Sequence, residues 1–338
     1  MPYQSMTDQS PLAAIVQHSA ADAAIATINE EGFYDSRRQI QPYGPNSLAI
    51  PITEEPTAFE PLEICEQSSP QWRVNTLDER LQVAGLTARE RSNVPNSWAV
   101  LGEIILGDFS ECPKATVVGR ELLALHGNAH TVLSLNAITG PHREPDVTLI
   151  AGKGQTETVH IEHGTAYALD LAKVMFSPGN KAERKRMGNI VSPDETVFDM
   201  FAGIGYFTLP MARAGASVIA TERNPNAAQF LAKNVALNEV TSAVQWYRTD
   251  CRALRPRADR IVMGHYDAIE YLDEAMMAIL PDGVIHLHAV VEREDRWSKI
   301  HSRLESASGD RSTNIFDRRV VKSHSPGMDH VVCDIRVD

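Results

Sequence analysis

Val197-Phe198-Asp199-Met200-Phe201-Ala202-Gly203-Ile204-Gly205-Tyr206-Phe207 is the stretch on which the reading of this chain turns. A short apolar run ends in an acid, and two glycines follow where a strand would give way to a helix. Glycines at such a junction permit unusual φ and let the backbone approach a ligand closely. A dinucleotide fingerprint wants a third glycine where Thr208 stands, and Asp199 would repel a pyrophosphate, so an oxidoreductase reading comes last. The ammonium of an amino-acid moiety would suit Asp199.

Outward from that loop, each succeeding strand also ends in an acid. Seventeen residues after Gly205, Glu222 in VIATERNP is placed to accept hydrogen bonds from ribose hydroxyls. After the third strand, Asp250 in YRTDCRAL can take the adenine amino proton while the Cys251 backbone reads the ring. Any one of these is met in ordinary turns and helix caps. The glycine loop, Glu222 and Asp250 together, each closing a successive strand, describe a nucleoside pocket.

The flanking rhythm supplies the fold. ETVFDMF, GYFTLPMARAG, SVIATE, NPNAAQFLAKNVALNEV, AVQWYR, DRIVMG, AIEYLDEAMMAILPDG and VIHLHAVV alternate strand and helix, which implies βαβ units and a parallel sheet covered on both faces. RRVVKSH and DHVVCDIRV are joined by SPGM, too short for a crossover helix, so they must pair antiparallel. The expected class is α/β, a Rossmann-like class I methyltransferase sheet with an antiparallel terminal hairpin over 176–338, behind smaller α+β N-terminal domains. Residues 1–51 read as a small α/β module and 72–175 as an α+β middle domain. Between them 52–71, with three Pro and five Glu, reads as a linker.

Composition narrows the class further. The 338 residues carry 44 acids against 32 bases, a net charge of −12, with 43% hydrophobic residues, which excludes disorder and fibre. No stretch approaches the ~18 apolar residues of a membrane helix, and the start lacks a basic and apolar leader, so a cytoplasmic location without membrane partners is expected. Cys65, Cys112, Cys251 and Cys333 are isolated and read as reduced thiols, and no zinc spacing is present. Arg outnumbers Lys 24 to 8; a Lys-poor, acid-rich surface suits high salt, and a compositional bias of the genome explains it equally well.

From Tyr167 to Asp338 the chain resembles the archaeal and eukaryotic tRNA-modifying group that contains the guanine-N1 methyltransferase and its sister, the wybutosine-pathway aminocarboxypropyl transferase. LDLAKVMFSPGNKAERKRM, VFDMFAGIGYFTLPMA, VIATERNPNA and VKSHSPGMDHVVCDIRV carry the resemblance. It implies S-adenosylmethionine as donor, no metal, and as acceptor carbon 7 of 4-demethylwyosine next to the anticodon of phenylalanine tRNA. It also implies that Ser177 and Arg184 contact the cofactor, Glu222 the ribose, and Asp250 with Cys251 the adenine. Arg184 would then hold the tail carboxylate in a bidentate fork and so choose which carbon of the sulfonium is attacked.

The two activities of the group differ where the fourth strand ends. Methylating a ring N–H needs the proton removed, and the methyltransferases carry an Asn-Leu-Pro type motif there. Here Met263-Gly264-His265-Tyr266 puts glycine in place of the amide, and Phe176-Ser177-Pro178-Gly179-Asn180 is nearer to the transferase's Phe-Ser-Ser-Gly-Asn, with Pro178 shared with the methyltransferase. The expected activity is therefore aminocarboxypropyl transfer releasing methylthioadenosine, with His265 and Tyr266 at the acceptor mouth. Guanine-N1 methylation is the first rival, and a catalytically silent tRNA-binding protein that holds the cofactor structurally is the second.

Net charge argues against diffuse affinity for a polyanion, but local clusters suit a docked tRNA. KAERKR (181–186) has four bases to one acid, Arg248 to Arg260 holds five Arg against two Asp, and Arg318, Arg319 and Lys322 form a third cluster. Arg143 in GPHREPD is a further candidate for seating RNA. His286 and His288 share a strand face but lack a third ligand, so they read as buried or pocket-lining, and Glu162 and His163 in HIEHG as structural. Nothing calls for an obligate protein partner.

Overall fold

The computed structural model describes residues 11–71, 76–140 and 142–338. It divides into two units, 1–91 and 92–338.

The first unit is built on strand β1 (Leu12–Gln17), followed by helix α1 (Ala21–Glu31), then β2 (Gln41–Tyr43), β3 (Ser47–Pro51) and β4 (Glu63–Glu66). The strands form one antiparallel sheet in the order β2-β3-β1-β4. Ala14, Val16 and Ile50 face Ala24 and Ile28 of α1, so the sheet buries one face on the helix. The stretch 52–71, expected as a linker, instead supplies β4, whose Cys65 stands opposite Ala13. Two adjacent apolar residues, Ile64 and Cys65, suffice for an edge strand, and the prolines that suggested a linker fall outside the paired residues. Helices α2 (Leu77–Val83) and α3 (Ala88–Arg91) belong to this unit as well, although they were read as the start of the middle domain. Each starts on a reciprocal capping pair: Thr76 with Glu79, and Thr87 with Glu90.

The second unit begins with β5 (Ala99–Leu101), β6 (Ile104–Gly107), α4 (Ala115–Leu125), β7 (Thr131–Thr139) and β8 (Glu144–Gly152), in a sheet ordered β5-β6-β7-β8. The hairpin β9 (Glu157–Glu162) and β10 (Thr165–Asp170) follows. Leu101, Leu133, Tyr167 and Leu169 share one apolar cluster with Val197 and Val262 of the C-terminal sheet, so the core is continuous across 175/176.

Helix α5 (Lys181–Ile190) leads into β11 (Thr196–Asp199), α6 (Thr208–Arg213), β12 (Ser217–Thr221), α7 (Pro225–Leu237), β13 (Val244–Tyr247), β14 (Ala258–Met263), α8 (Leu272–Ala278), β15 (Ile279–Glu292), α9 (Ser298–Ser308), β16 (Thr313–Ser325) and β17 (Met328–Val337). The seven strands lie in the order β13-β12-β11-β14-β15-β17-β16. The first five run parallel, and β17 pairs antiparallel with both β15 and β16, as the short SPGM turn required. Alternation along β11 and β14 sends Val197 and Val262 to the face covered by α5, α6 and α7, and Phe198 and Ile261 to the face covered by α8 and α9. Strand order reverses at β11/β14, where crossovers leave to opposite sides and a crevice opens above the carboxyl ends of the strands. No helix among the described residues is long and apolar enough to cross a membrane.

Candidate active site

The crevice is shaped first by the turn after β11. Gly203 (φ 58°) and Gly205 (φ 101°) are left-handed, and a Cβ at Gly203 would stand 2.7 Å from the Tyr206 ring. Asp199 organises this turn from below: its carboxylate accepts from the Phe201 N–H (3.3 Å) and the Thr208 hydroxyl (2.7 Å), and the side chain is fully buried. Burial pushes its carboxyl up to about 6. Asp199 is thus turned away from the cavity, which corrects the expectation that it meets a ligand ammonium.

Glu222, at the end of β12, is held rigidly. Its Oε2 accepts from Gly203 N–H (2.8 Å) and its Oε1 from Asn224 N–H (2.6 Å), and burial raises its carboxyl above the ordinary range. Asn224 also caps α7 with its side-chain oxygen and donates through Nδ2 to the His142 carbonyl (3.1 Å), which ties the loop bearing Arg143 to the cavity. Asp250 follows β13 and is forked by Arg252 at 2.8 Å through each oxygen; that hydrogen bonding holds its carboxyl near 2. Burial, reinforced by Asp250, raises the adjacent Cys251 thiol to about 12, so this cysteine stays protonated and inert.

The opposite end of the cavity is made by the segment entering α5. Arg184 is 3% exposed and donates through Nε and Nη2 to Glu162 (2.7 and 2.9 Å) and through Nη1 to the Ser177 carbonyl (3.0 Å). Phe176 lies behind it, its ring 4.9 Å from the guanidinium carbon. Burial alone would raise Glu162, but hydrogen bonds from His160 and Arg184 outweigh it and hold the carboxyl near 2. The guanidinium fork expected to clasp a ligand carboxylate is therefore spent on Glu162, a residue correctly read as structural. Arg184 positions the cavity wall.

At the mouth, after β14, Gly264 has no room for a side chain: a Cβ there would stand 2.7 Å from the Phe207 ring. His265 stacks on Phe201 with 5.4 Å between centroids, and its Nδ1 accepts from the Asp267 N–H (3.2 Å). Burial lowers its basicity, with Arg143 and Arg223 acting in the same direction against Asp267, so it is neutral with its proton on Nε2. Tyr266 carries the Arg143 guanidinium 4.9 Å above its ring and packs edge-on against His324 and His330.

Of the residues singled out in the sequence, Ser177, Arg184, Gly203, Glu222, Asp250, Cys251, His265 and Tyr266 line one cavity. Phe176, Asp199 and Gly205 do not, since packing, the turn and the strand end claim them. His142, Asn180, Phe201 and Tyr271 also line it and were not singled out. Arg143, a candidate for seating RNA, lies in the cavity wall too. His286 and His288 are both 1% exposed: His286 donates through Nδ1 to Asp334 (2.6 Å), and His288 Nδ1 is hydrogen-bonded to His330 Nε2 (3.0 Å). In each basic cluster part of the charge points inward, with Arg186 and Arg319 on Asp334 and Arg260 on Glu195.

Residues 158–316 match the family model described as the TRM5/TYW2 methyltransferase domain, and residues 77–156 match the TYW2 N-terminal domain. The tRNA(Phe) (4-demethylwyosine(37)-C(7)) aminocarboxypropyltransferase of Methanocaldococcus jannaschii is 37% identical over 214 residues, 61% of this chain and 85% of that protein. The tRNA (guanine(37)-N(1))-methyltransferase Trm5b of Pyrococcus abyssi is 31% identical over 315 residues, 91% of this chain and 93% of that protein. The crystal structure of P. horikoshii TYW2 in complex with MeSAdo superposes with a TM-score of 0.68 at 31% identity, covering 77% of this chain and 97% of that one.

Proposed function

The chain belongs to the TRM5/TYW2 family of tRNA-modifying enzymes, and on that premise we propose that it transfers the 3-amino-3-carboxypropyl group of S-adenosylmethionine to carbon 7 of 4-demethylwyosine in phenylalanine tRNA, releasing methylthioadenosine. The sulfonium supplies three carbons open to displacement, and the one held in line with the acceptor reacts. The chain's own residues decide which. Glu222, fixed by two backbone N–H groups, keeps its remaining lone pairs for ribose hydroxyls. Asp250 and the Cys251 backbone meet the adenine edge, with Phe201 and Tyr271 packed edge to face (5.1 Å) on the same wall. Tyr266, backed by His324 and His330 and covered by Arg143, offers an aromatic face to the acceptor base at position 37, beside the anticodon.

One observation separates this reading from methyl transfer to guanine N1. Taking a ring N–H proton requires an acceptor at the end of β14. Gly264 supplies none, Phe207 fills the space a side chain would need, and the His265 Nδ1 lone pair is occupied by the Asp267 N–H. Alkylation at an electron-rich ring carbon needs no base before attack, because the proton is lost as the ring recovers aromaticity. His265, protonated on Nε2, serves as a hydrogen-bond donor at the mouth.

The test is to incubate the chain with S-adenosylmethionine and tRNA carrying 4-demethylwyosine, and separately with tRNA carrying unmodified guanine there. The expected result is a mass gain of one aminocarboxypropyl group on the tricyclic nucleoside, with methylthioadenosine as co-product. A gain of one methyl with S-adenosylhomocysteine overturns the reading, and no consumption of donor on either RNA returns it to a silent binding protein.

A further inference from the structure

The alternating histidines of β15 are not used by the mechanism, and the two have different fates. His286 is bonded to Asp334, whereas His288 turns to a third histidine. His288 and His330 of β17 lie diagonally across adjacent antiparallel strands, since His330 stands opposite Val290. Both are buried, at 1% and 0% exposure, and His288 Nδ1 meets His330 Nε2 at 3.0 Å. Burial keeps both rings neutral: His330 is lowered to about 4, and His288 lies well below its ordinary value. The outer nitrogens, His288 Nε2 and His330 Nδ1, have no hydrogen-bond partner. Two apolar side chains would fill the same space without orphaned polar atoms, so packing alone does not account for the pair.

What the pair touches does account for it. The Phe207 ring lies 5.2 Å from His288, His288 lies 5.2 Å from His330, and His330 lies 5.0 Å from Tyr266. The two end rings, Phe207 and Tyr266, line the cavity. Continuing the β14–β15 register one step past Met263 and Leu287 places Gly264 beside His288, and the missing side chain there lets Phe207 reach across. Tyr266 is also hung from β15, its carbonyl accepting from the Val290 N–H (3.4 Å) two residues past His288. Four rings thus span the end of β14, and a hydrogen bond fixes the middle contact.

We propose that His288 and His330 are positioning residues for the acceptor: their hydrogen bond fixes the spacing of the four rings, and through it the plane of Tyr266 on which the acceptor base stacks. Apolar substitutes would pack, but would leave that plane free to tilt. The assignment rests on the acceptor mouth of the proposed function and adds the two buried residues that hold it.

The test is the double variant His288→Leu/His330→Leu in the full chain. Replacing both partners removes the hydrogen bond without leaving a new orphan, so the melting temperature should stay within about 3 °C of the parent. Methylthioadenosine affinity by calorimetry should stay within about twofold. The single-turnover transfer rate at saturating tRNA should fall about 10- to 100-fold, the loss expected when a reacting group is misplaced by about 1 Å. In a Tyr266→Ala background the same double change should cost less than about threefold more, because the residue it acts through is gone. His330→Phe, which keeps a ring beside Tyr266 and breaks the hydrogen bond, is the second variant and should show the same split between transfer and binding. Transfer within about twofold of wild type in the double variant, equal losses in nucleoside binding and transfer, full additivity with Tyr266→Ala, or unfolding of both variants would overturn the proposal. Failure of the transfer reading shows separately, in the group that the wild-type chain adds to the RNA, and the split is measured on that group whichever it is.

Discussion

Replacing Glu162 by Gln removes one charge from a pair in which Glu162 is 5% and Arg184 3% exposed. The carboxylate is held near 2 where its ordinary value is 4.5. At about 1.4 kcal/mol per pH unit that gap is worth about 3 kcal/mol of stability. Because the folded value is depressed, the contribution is complete above about pH 4.5 and is lost as pH falls through 2. Removing one partner of a buried pair costs about 3–5 kcal/mol, which agrees in size. Calorimetric unfolding at pH 7 should therefore place the transition of unit 92–338 about 6–12 °C lower in Glu162→Gln. Between pH 4.5 and 2 the variant should lose stability less steeply than the parent, the remaining slope belonging to other depressed carboxylates such as Asp250 and Asp334. The double variant Glu162→Gln/Arg184→Met should recover part of the loss, since the uncompensated guanidinium is gone. A loss below about 1 kcal/mol, or an unchanged acid slope, would refute the view that Arg184 is committed to Glu162 and would return its fork to the ligand.

Gly264→Ala should lower stability by about 1–3 kcal/mol in urea titration, since its Cβ meets the Phe207 ring at 2.7 Å, and Phe207→Leu in the same chain should relieve part of it. Asp199→Asn should behave in the opposite way: a carboxyl raised from 3.8 to about 6 opposes folding increasingly as pH rises through that window, by up to about 3 kcal/mol. The amide variant should gain stability over the parent at pH 8 relative to pH 4 while keeping affinity for S-adenosylmethionine within about threefold; a lower melting point at both pH values would contradict this. Arg260 of this cluster is buried on Glu195 and the exposed Arg252 is forked onto Asp250, which leaves the exposed Arg248, Arg255 and Arg257 for RNA. Replacing all three exposed arginines by Ala should weaken tRNA association and reduce the magnitude of its logarithmic salt slope by about 2–3, with nucleoside binding unaffected.

What was legible in the sequence is what depends on neighbours along the chain. The alternation of β11 to β15 with their helices, the short turn between β16 and β17, and the glycines at 203 and 205 report local geometry, and each lies where its pattern placed it. Charged side chains do not work this way. A guanidinium or carboxylate inside a fold is claimed by whichever opposite charge the topology brings within reach, and here those partners are remote: Glu162 lies 22 residues from Arg184, and Asp334 lies 148 residues from Arg186. No periodicity announces that β9 will set an acid beneath α5, so Arg184 looked like a ligand clamp. Asp199 erred for the complementary reason. Its residue type and its place at a strand end suit a ligand, but Thr208, nine residues on, returns over it once α6 begins, and the carboxylate is used before any ligand arrives.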